Sequence, residues 1–171
     1  MPLNANQILA VFPHLVLTKI IGKPNFASIT PQQSKHNGNL ASIKSNLGDG
    51  LTGLTFLSTK PDIFKTIHPN TFVIPTNLGP APDPAVIAAA SMVTKIADSY
   101  KAYALESAIY AEYVTAEHIS VKLALDSMSK LYFKSLKNTY TGYAGVTLRQ
   151  LLYHLVTTYA EIDQFDLEKN Q

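Results

Sequence analysis

Residues 48–53 (GDGLTG) match the G-x-G-x-x-G spacing of a dinucleotide-binding loop. That loop works only between a preceding strand and a following helix, whose N-terminus faces the pyrophosphate, with an acid about 20 residues later for the ribose. Here the flanking residues predict a helix before the glycines and a strand after them, and residues 67–78 contain no acid. We therefore interpret the string as a flexible turn that leads into a strand.

Other side chains that could do chemistry are scattered. The sequence has no cysteine and no G-x-S-x-G elbow, and its histidines form no His-x-x-x-His or Glu-x-x-His pair. Neither His118 nor His154 has an acid three or four residues away that could orient its ring. We expect no catalytic residue, no metal site, no cofactor and no small-molecule substrate, so the protein is not expected to be an enzyme.

The composition indicates one globular domain with a weakly charged surface. The chain has 171 residues, of which 46% are apolar and 15% are charged, against roughly 25% charged in an average soluble protein. A net charge of +2 lacks the strongly basic balance of a dedicated nucleic-acid reader. Residues 8–17 are apolar but interrupted by Pro13 and His14, so we expect neither a signal peptide nor a membrane span. A cytoplasmic protein that is not secreted is the expectation.

A segment rich in proline and glycine, residues 75–84, divides the chain. Residues 1–80 are predicted to hold an N-terminal arm, one helix and short strands. Strand or arm structure is predicted at residues 15–21, 51–58 and 71–75, with a helical turn at residues 61–67. The helix is predicted to begin at Thr30, as N-cap before Pro31, and to stop at Gly48, with Leu40, Ile43 and Leu47 on one face.

Residues 81–171 are predicted to form a three-helix region. The helices are identified by apolar stripes spaced three or four residues apart. The first stripe is Val86, Ala89, Val93, Ile96, Tyr100, Tyr103, Ser107 and Tyr110; the second helix covers residues 115–137 with Val121, Leu125, Met128, Tyr132 and Leu136; the third starts at a Thr147–Gln150 capping box with Leu148, Leu152, Leu155, Tyr159 and Ile162. A short terminal helix is predicted after residue 163. The fold class is mainly α: a helical bundle of three to five helices with a small N-terminal β-hairpin or β-arm, forming one domain.

Two sets of residues are candidates for binding. Tyrosine is enriched where surfaces are buried against a partner, so the tyrosines of the helical region are candidate self-association residues: Tyr100, Tyr103, Tyr110, Tyr113, Tyr153 and Tyr159. Core-edge packing is the simpler interpretation of the same tyrosines. Four N-terminal lysines are candidates for weak RNA contact: Lys19, Lys23, Lys35 and Lys44. Ordinary solvated lysines are the favoured alternative.

The order of several short motifs resembles a known family. These motifs are residues 22–29 (GKPNFASI), 42–50 (SIKSNLGDG) with Gly53-Leu54, 72–80 (FVIPTNLGP), 141–144 (TGYA), 151–155 (LLYHL) and 166–170 (DLEKN). Together they resemble the N-terminal part of Gag-like polyproteins of copia-type LTR retrotransposons, over most of the chain from about Pro13 to Asn170.

The resemblance implies a structural capsid domain. Such regions fold as helical bundles and self-associate into a virus-like particle around the element's RNA. The family often adds a second helical region and a Cys/His zinc knuckle; this sequence has no cysteine, so we expect weak RNA contact from this segment. The implied function is that of a self-associating capsid-like domain, which is either part of a longer product or a domesticated remnant of one. The implied partner is a second copy of the chain, and no membrane is expected to be involved. The alternative is an RNA-binding or protein-interaction module without catalysis.

Overall fold

The computed structural model describes residues 1–48, 50–83, 85 and 93–160. Five α-helices of these residues are used below: α1 (Ala5–Val11), α2 (Phe26–Ala41), α3 (Pro61–Ile67), α4 (Val93–Asp126) and α5 (Leu148–Leu155). Shorter 3-10 helices occupy Thr55–Leu57 and Lys130–Leu136, and a π-helical turn, Val156–Ala160, continues α5. The prediction of a mainly α fold is confirmed.

The predicted β-hairpin or β-arm is wrong, because the described residues contain no strand. Residues 15–21 are irregular and attach to the end of α4 through one backbone bond, from Ile20 N–H to the Ser127 carbonyl at 2.8 Å. Within the predicted strand at 51–58, Gly53 has a φ of +57° and Thr55–Leu57 is a 3-10 helix, so no extended strand forms. In these segments Leu17, Phe56 and Phe72 are buried through side-chain packing alone, whereas Val16, Ile21 and Val73 are exposed, so β-propensity did not lead to backbone pairing.

Three phenylalanines join the segments that had been predicted as strands. Phe56 and Phe72 stack with ring centroids 4.4 Å apart, and Phe64 of α3 meets Phe56 edge-on at 5.3 Å. Helix α3 has the bounds predicted for the helical turn at residues 61–67 and begins with Pro61 in its first turn, where the missing N–H does no harm. Aromatic packing therefore holds residues 55–72 together.

Helix α2 begins four residues before the predicted N-cap, Thr30. Its N-cap is Asn25, whose side chain accepts from Ser28 N–H while the Ser28 hydroxyl accepts from Asn25 N–H. Pro31 consequently lies inside the helix, and the Thr30 hydroxyl donates to the Phe26 carbonyl at 2.9 Å. The helix ends at Ala41, before the predicted stop at Gly48.

Helix α1 was not predicted from the sequence. Asn4 and Gln7 form a reciprocal capping box at its start, and Ile8 is buried in the core. The signal was present, since an Asn followed three residues later by Gln is a helix-start pattern.

The first predicted C-terminal helix and residues 115–126 of the second are one helix, whereas the predicted continuation of the second to residue 137 is wrong, because the chain turns after Asp126 and residues Lys130–Leu136 form a separate 3-10 helix. Helix α4 runs without interruption through residues 110–115 and ends at Asp126, and Ser127 caps its last turn by donating from its hydroxyl to the Ala124 carbonyl at 2.7 Å. The stripe residues Ile96, Tyr100, Tyr103, Ser107 and Tyr110 are all half-buried. Val86 and Ala89 lie outside the described residues.

The third predicted helix is present as α5. The Thr147–Gln150 capping box is formed, and Leu148, Leu152 and Leu155 are buried. Ile162 and the predicted terminal helix lie outside the described residues.

A single hydrophobic cluster contains residues from both sides of the segment 75–84. Ile8, Ile29 and Phe64 meet Ala116 of α4 and Leu151 of α5 in it. Burying an aliphatic or aromatic side chain of this size contributes about 1.5–3 kcal/mol, so this cluster is the main stabilising feature of the fold.

Candidate functional site

Four of the six candidate tyrosines lie on α4, and three of these four contact the irregular segment that runs beside it. The Tyr100 hydroxyl donates to the Pro82 carbonyl at 2.7 Å, and the Tyr103 hydroxyl donates to the Gly79 carbonyl at 2.6 Å. The ring of Tyr113 packs against Phe72 with centroids 6.1 Å apart, and Tyr110 is half-buried. Contacts within the chain therefore account for much of this tyrosine stripe.

The other two candidate tyrosines lie elsewhere. Tyr153 of α5 is half exposed, and Lys60 Nζ lies 4.4 Å from its ring centroid. Tyr159 meets the edge of Tyr132 with centroids 5.5 Å apart. The structure does not gather the six tyrosines into one surface, and their role in self-association stays a prediction.

Three of the four candidate lysines are brought together. Lys19, Lys23 and Lys35 line a groove of about 320 Å³ between residues 18–25 and the first turns of α2. We call this groove, together with its lining residues Thr18, Ser28 and Gln32, the basic groove. The fourth lysine, Lys44, is exposed and lines a different depression, beside Met1.

Exposed aliphatic side chains form a second surface at the first half of α4. Leu51 and Leu105 line one depression, Val73, Ile74 and Leu78 line its neighbour, and Ile109 lines both. We call these six residues the apolar face. Leu51 is 85% exposed, Val73 65% and Leu105 54%. Contiguous exposed apolar surface of this kind marks interaction sites.

Two glutamates on α4 have raised pKa values. Burial raises the pKa of the Glu112 carboxyl. The hydrogen bond that this carboxyl accepts from Leu3 N–H and the positive charge of the amino terminus both oppose the rise. Burial also raises the pKa of Glu117, although a hydrogen bond from Leu148 N–H and the positive charge of Arg149 both lower it. The pKa of each group is higher in the folded chain than in the unfolded chain. The free energy of unfolding therefore falls as the pH rises from the unfolded pKa to the folded pKa.

His36 of α2 is buried in its neutral form. Burial lowers the pKa of its ring from 6.5 to about 4. The unfolded chain therefore binds a proton between these pH values while the folded chain does not, and stability is lost as the pH falls through that interval. The ring Nδ1 has no hydrogen-bond partner among the described residues, so no acid orients the ring there as a catalytic base requires.

Other chemical groups have structural partners. His154 Nε2–H donates to the Tyr132 carbonyl at 2.8 Å, and His154 Nδ1 lies 3.2 Å from the Thr158 hydroxyl oxygen. Both ring nitrogens therefore have a hydrogen-bond partner. No group of three metal-ligating side chains is found in the described part of the chain. Nor does any helix among those residues have the length and apolarity needed to cross a membrane.

The glycine string has a packing explanation at Gly53. A Cβ placed there would lie 2.5 Å from the Leu40 carbonyl oxygen and 2.4 Å from that of Ile43. The adjacent Leu54 N–H donates to the Leu40 carbonyl at 3.0 Å and so caps the end of α2. The string follows a helix and precedes a 3-10 helix, an order unlike that of a dinucleotide loop; Asp49 lies outside the described residues.

Two polar residues in the structure were not singled out from the sequence. Asn39 is fully buried, and its amide binds both the N–H (2.8 Å) and the carbonyl (2.9 Å) of His14. Arg149 donates to the Phe56 carbonyl and stacks on the Phe56 ring at 4.5 Å. Both join segments far apart in sequence, and no local pattern identifies such contacts.

Comparison with known proteins adds no relative. The chain matches no protein-family model, and no curated protein or solved structure is significantly similar to it.

Proposed function

We propose that this chain is a structural, self-associating domain of the capsid type found in Gag-like polyproteins of copia-type LTR retrotransposons. The ordered motifs from residue 22 to residue 170 support the family, and the mainly helical fold is compatible with it. In this proposal the domain has no catalytic role, and its partner is a second copy within a cytoplasmic particle.

The observation that carries the proposal is the apolar face. Its five exposed aliphatic side chains surround the half-buried Ile109, and the charged side chains that line the same two depressions are few: Lys44, Glu106 and Glu112. Hiding apolar surface contributes about 25 cal/mol per Å² before ordering costs, and a standard interface hides about 800 Å² per partner. Apolar association is therefore the expected driving force.

A second copy is the occupant that the charges favour. The apolar face has Lys44 at the depression that contains Leu51 and Glu106 at the one that contains Val73. A two-fold interface places the same patch of both copies together, so opposite charges at the two ends of one patch can face each other. The low charge content of the whole chain, 15%, also reduces repulsion between copies.

Light scattering coupled to size-exclusion chromatography tests the proposal over two decades of protein concentration. The variant Leu105→Asp places a charge on the apolar face, and Leu131→Asp does the same at an exposed leucine outside it. Leu105 is 54% exposed and Leu131 is 68% exposed, so neither substitution opens a cavity in the core.

We expect the wild-type mass to rise with concentration, and to rise further in sulfate, which strengthens apolar burial. Leu105→Asp is expected to weaken association about tenfold or more, because a charge would be buried between copies, while Leu131→Asp leaves it unchanged. A wild-type chain that stays monomeric at every concentration and in sulfate would contradict the proposal. Equal weakening by both variants would contradict the assignment to the apolar face.

A further inference from the structure

A groove lies between α2 and α5 and is bounded on its third side by the start of α3. Its cavity has a volume of about 350 Å³, which is within the range of ligand-binding clefts. Its floor is buried and apolar at Ile29 and Ala160, while Phe26 and Ile63 beside it are 58% and 48% exposed. We call it the α2–α5 groove and define it by Phe26, Ile29, Lys60, Ile63, Tyr153 and Ala160. It shares no lining residue with the two depressions of the apolar face.

The charged side chains of the α2–α5 groove are positive. Lys60 and Arg149 line it, and no acid among the described residues does. Arg149 is engaged within its own chain, because it donates to the Phe56 carbonyl and its charge opposes the burial-driven rise in the pKa of Glu117. Lys60 is exposed, and its Nζ lies 4.4 Å from the centroid of the Tyr153 ring. That contact leaves N–H donors of the ammonium for an acidic ligand, so the groove fits a ligand with both carboxylates and apolar side chains.

The sequence that follows Ala160 has this composition. Ala160 lines the groove and is the last described residue, so residues 161–171 (EIDQFDLEKNQ) start beside it. These residues contain four of the twelve acids of the chain and one lysine, and Ile162, Phe165 and Leu167 alternate with the acids. Charge complementarity and the continuity of the chain therefore point to the same occupant of the groove.

Residues 161–166 are long enough to return along the groove to Lys60. Tyr153, whose ring contacts the Lys60 ammonium, precedes Ala160 by seven residues, a helical distance of about 10 Å. Six extended residues span about 20 Å. The carboxylates of Asp163 and Asp166 are therefore within reach of the ammonium.

We propose that residues 161–171 of the same chain bind in the α2–α5 groove. Their apolar side chains pack against Phe26 and Ile63, and one of their carboxylates accepts hydrogen bonds from the Lys60 ammonium. The same chain is favoured over a second copy, because a short tether beside the groove gives the segment a high effective concentration there. Binding of this segment uses no residue of the apolar face and does not depend on self-association.

The test is hydrogen exchange of residues 161–171 in the full chain, measured by mass spectrometry with three proteins. These are the wild type, a groove variant (Lys60→Glu, Ile63→Asp) and a control variant (Lys65→Glu, Ile67→Asp). The control makes the same two changes at exposed residues of α3 that do not line the groove. A synthetic peptide of residues 161–171 gives the exchange rate of the segment without the groove, and circular dichroism establishes that both variants remain helical.

At the lowest protein concentration, we expect residues 161–171 to exchange about tenfold more slowly in the wild type than in the peptide. The groove variant should lose most of this protection, because its two new carboxylates repel the acidic segment, while the control variant keeps it. Wild-type exchange as fast as that of the peptide would overturn the proposal, whatever the variants do.

Three other results would also overturn it. Equal protection in all three proteins would indicate local structure that does not need the groove, and equal losses in both variants would indicate an unspecific effect of charge. Protection that appears only at high concentration would indicate a second copy as the occupant. Because the expected protection is present in the dilute protein, its absence is distinct from a failure of self-association.

Discussion

Substituting alanine for Gly53 tests how residues 53–54 pack on the end of α2. Gly53 has a φ of +57°, and a Cβ there would lie 2.4, 2.5 and 2.9 Å from the carbonyl oxygens of Ile43, Leu40 and Ala41. These three oxygens belong to the backbone and cannot move aside by a side-chain rotation. The methyl group of alanine therefore requires a displacement of the helix end or of the loop.

The expected cost has two parts. A left-handed backbone costs an alanine about 1–2 kcal/mol, and overpacking a tight contact costs about 1–3 kcal/mol. We expect Gly53→Ala to lower the free energy of unfolding by about 4 kcal/mol, a large part of the 5–15 kcal/mol that is typical of a domain.

Gly22→Ala is the matched control. Gly22 also has a positive φ, +82°, but no heavy atom lies within 4 Å of its Cβ position. Its cost should be limited to the left-handed backbone conformation, about 1–2 kcal/mol. The difference between the two variants, measured by urea unfolding followed by circular dichroism, then isolates the contact with the carbonyl oxygens. Equal destabilisation of the two variants would refute the packing described for Gly53.

Four further outcomes are expected. Phe64→Ala removes the ring that meets Phe56 and should cost about 3–5 kcal/mol in urea unfolding; a cost below about 1 kcal/mol would contradict the aromatic cluster. Stability should fall by up to about 3 kcal/mol between pH 6.5 and about pH 4 because of His36, and in His36→Gln this part of the pH dependence should vanish; an unchanged profile would exclude His36 as its source. Thr147→Ala should cost about 1 kcal/mol, whereas Thr147→Ser should cost little, as thermal unfolding would show. Asn39→Ala leaves both His14 backbone groups unpaired and should cost about 2 kcal/mol; thermal unfolding close to wild type would show that these bonds contribute nothing.

The helical part of the fold was predictable because its signals are local. Thr147 and Gln150 sit at the spacing of a capping box, and the leucines of α5 repeat at helical intervals, so residues a few positions apart specify both the start and the buried face. The stripe on α4 was equally visible. Its continuation through residues 110–115 was missed because the apolar positions were divided into two stripes, although no glycine or proline interrupts the helix.

The N-terminal part was less predictable because long-range contacts decide it. Phenylalanine is common in strands, and the segments around Phe56 and Phe72 resemble strands in composition. The two segments are nevertheless joined by stacking of the Phe56 and Phe72 rings and not by backbone hydrogen bonds. The Thr30-Pro31 pattern predicts that Pro31 lies in the first turn of α2, but the Asn25–Ser28 capping box begins the helix earlier. The pairing of Asn39 with His14 spans 25 residues and leaves no trace in local spacing.

The candidate sites show the same division. Residue type alone was enough to select lysines and tyrosines as candidates. Their grouping depends on the fold, which places Lys19, Lys23 and Lys35 around one groove and Lys44 at another depression. The apolar face was not identified from the sequence, because Leu51, Val73 and Leu105 come from three separate segments.

Hydrogen exchange at low and high protein concentration tests most directly whether two copies meet at the apolar face. Residues 72–79 lack regular secondary structure, so their amides should exchange rapidly in the isolated chain and report burial sensitively. Self-association through this face predicts slower exchange in residues 72–79 at high concentration, with no change in residues 130–137 around Leu131. Exchange that is independent of concentration in residues 72–79, while the mass of the protein rises, would contradict the account.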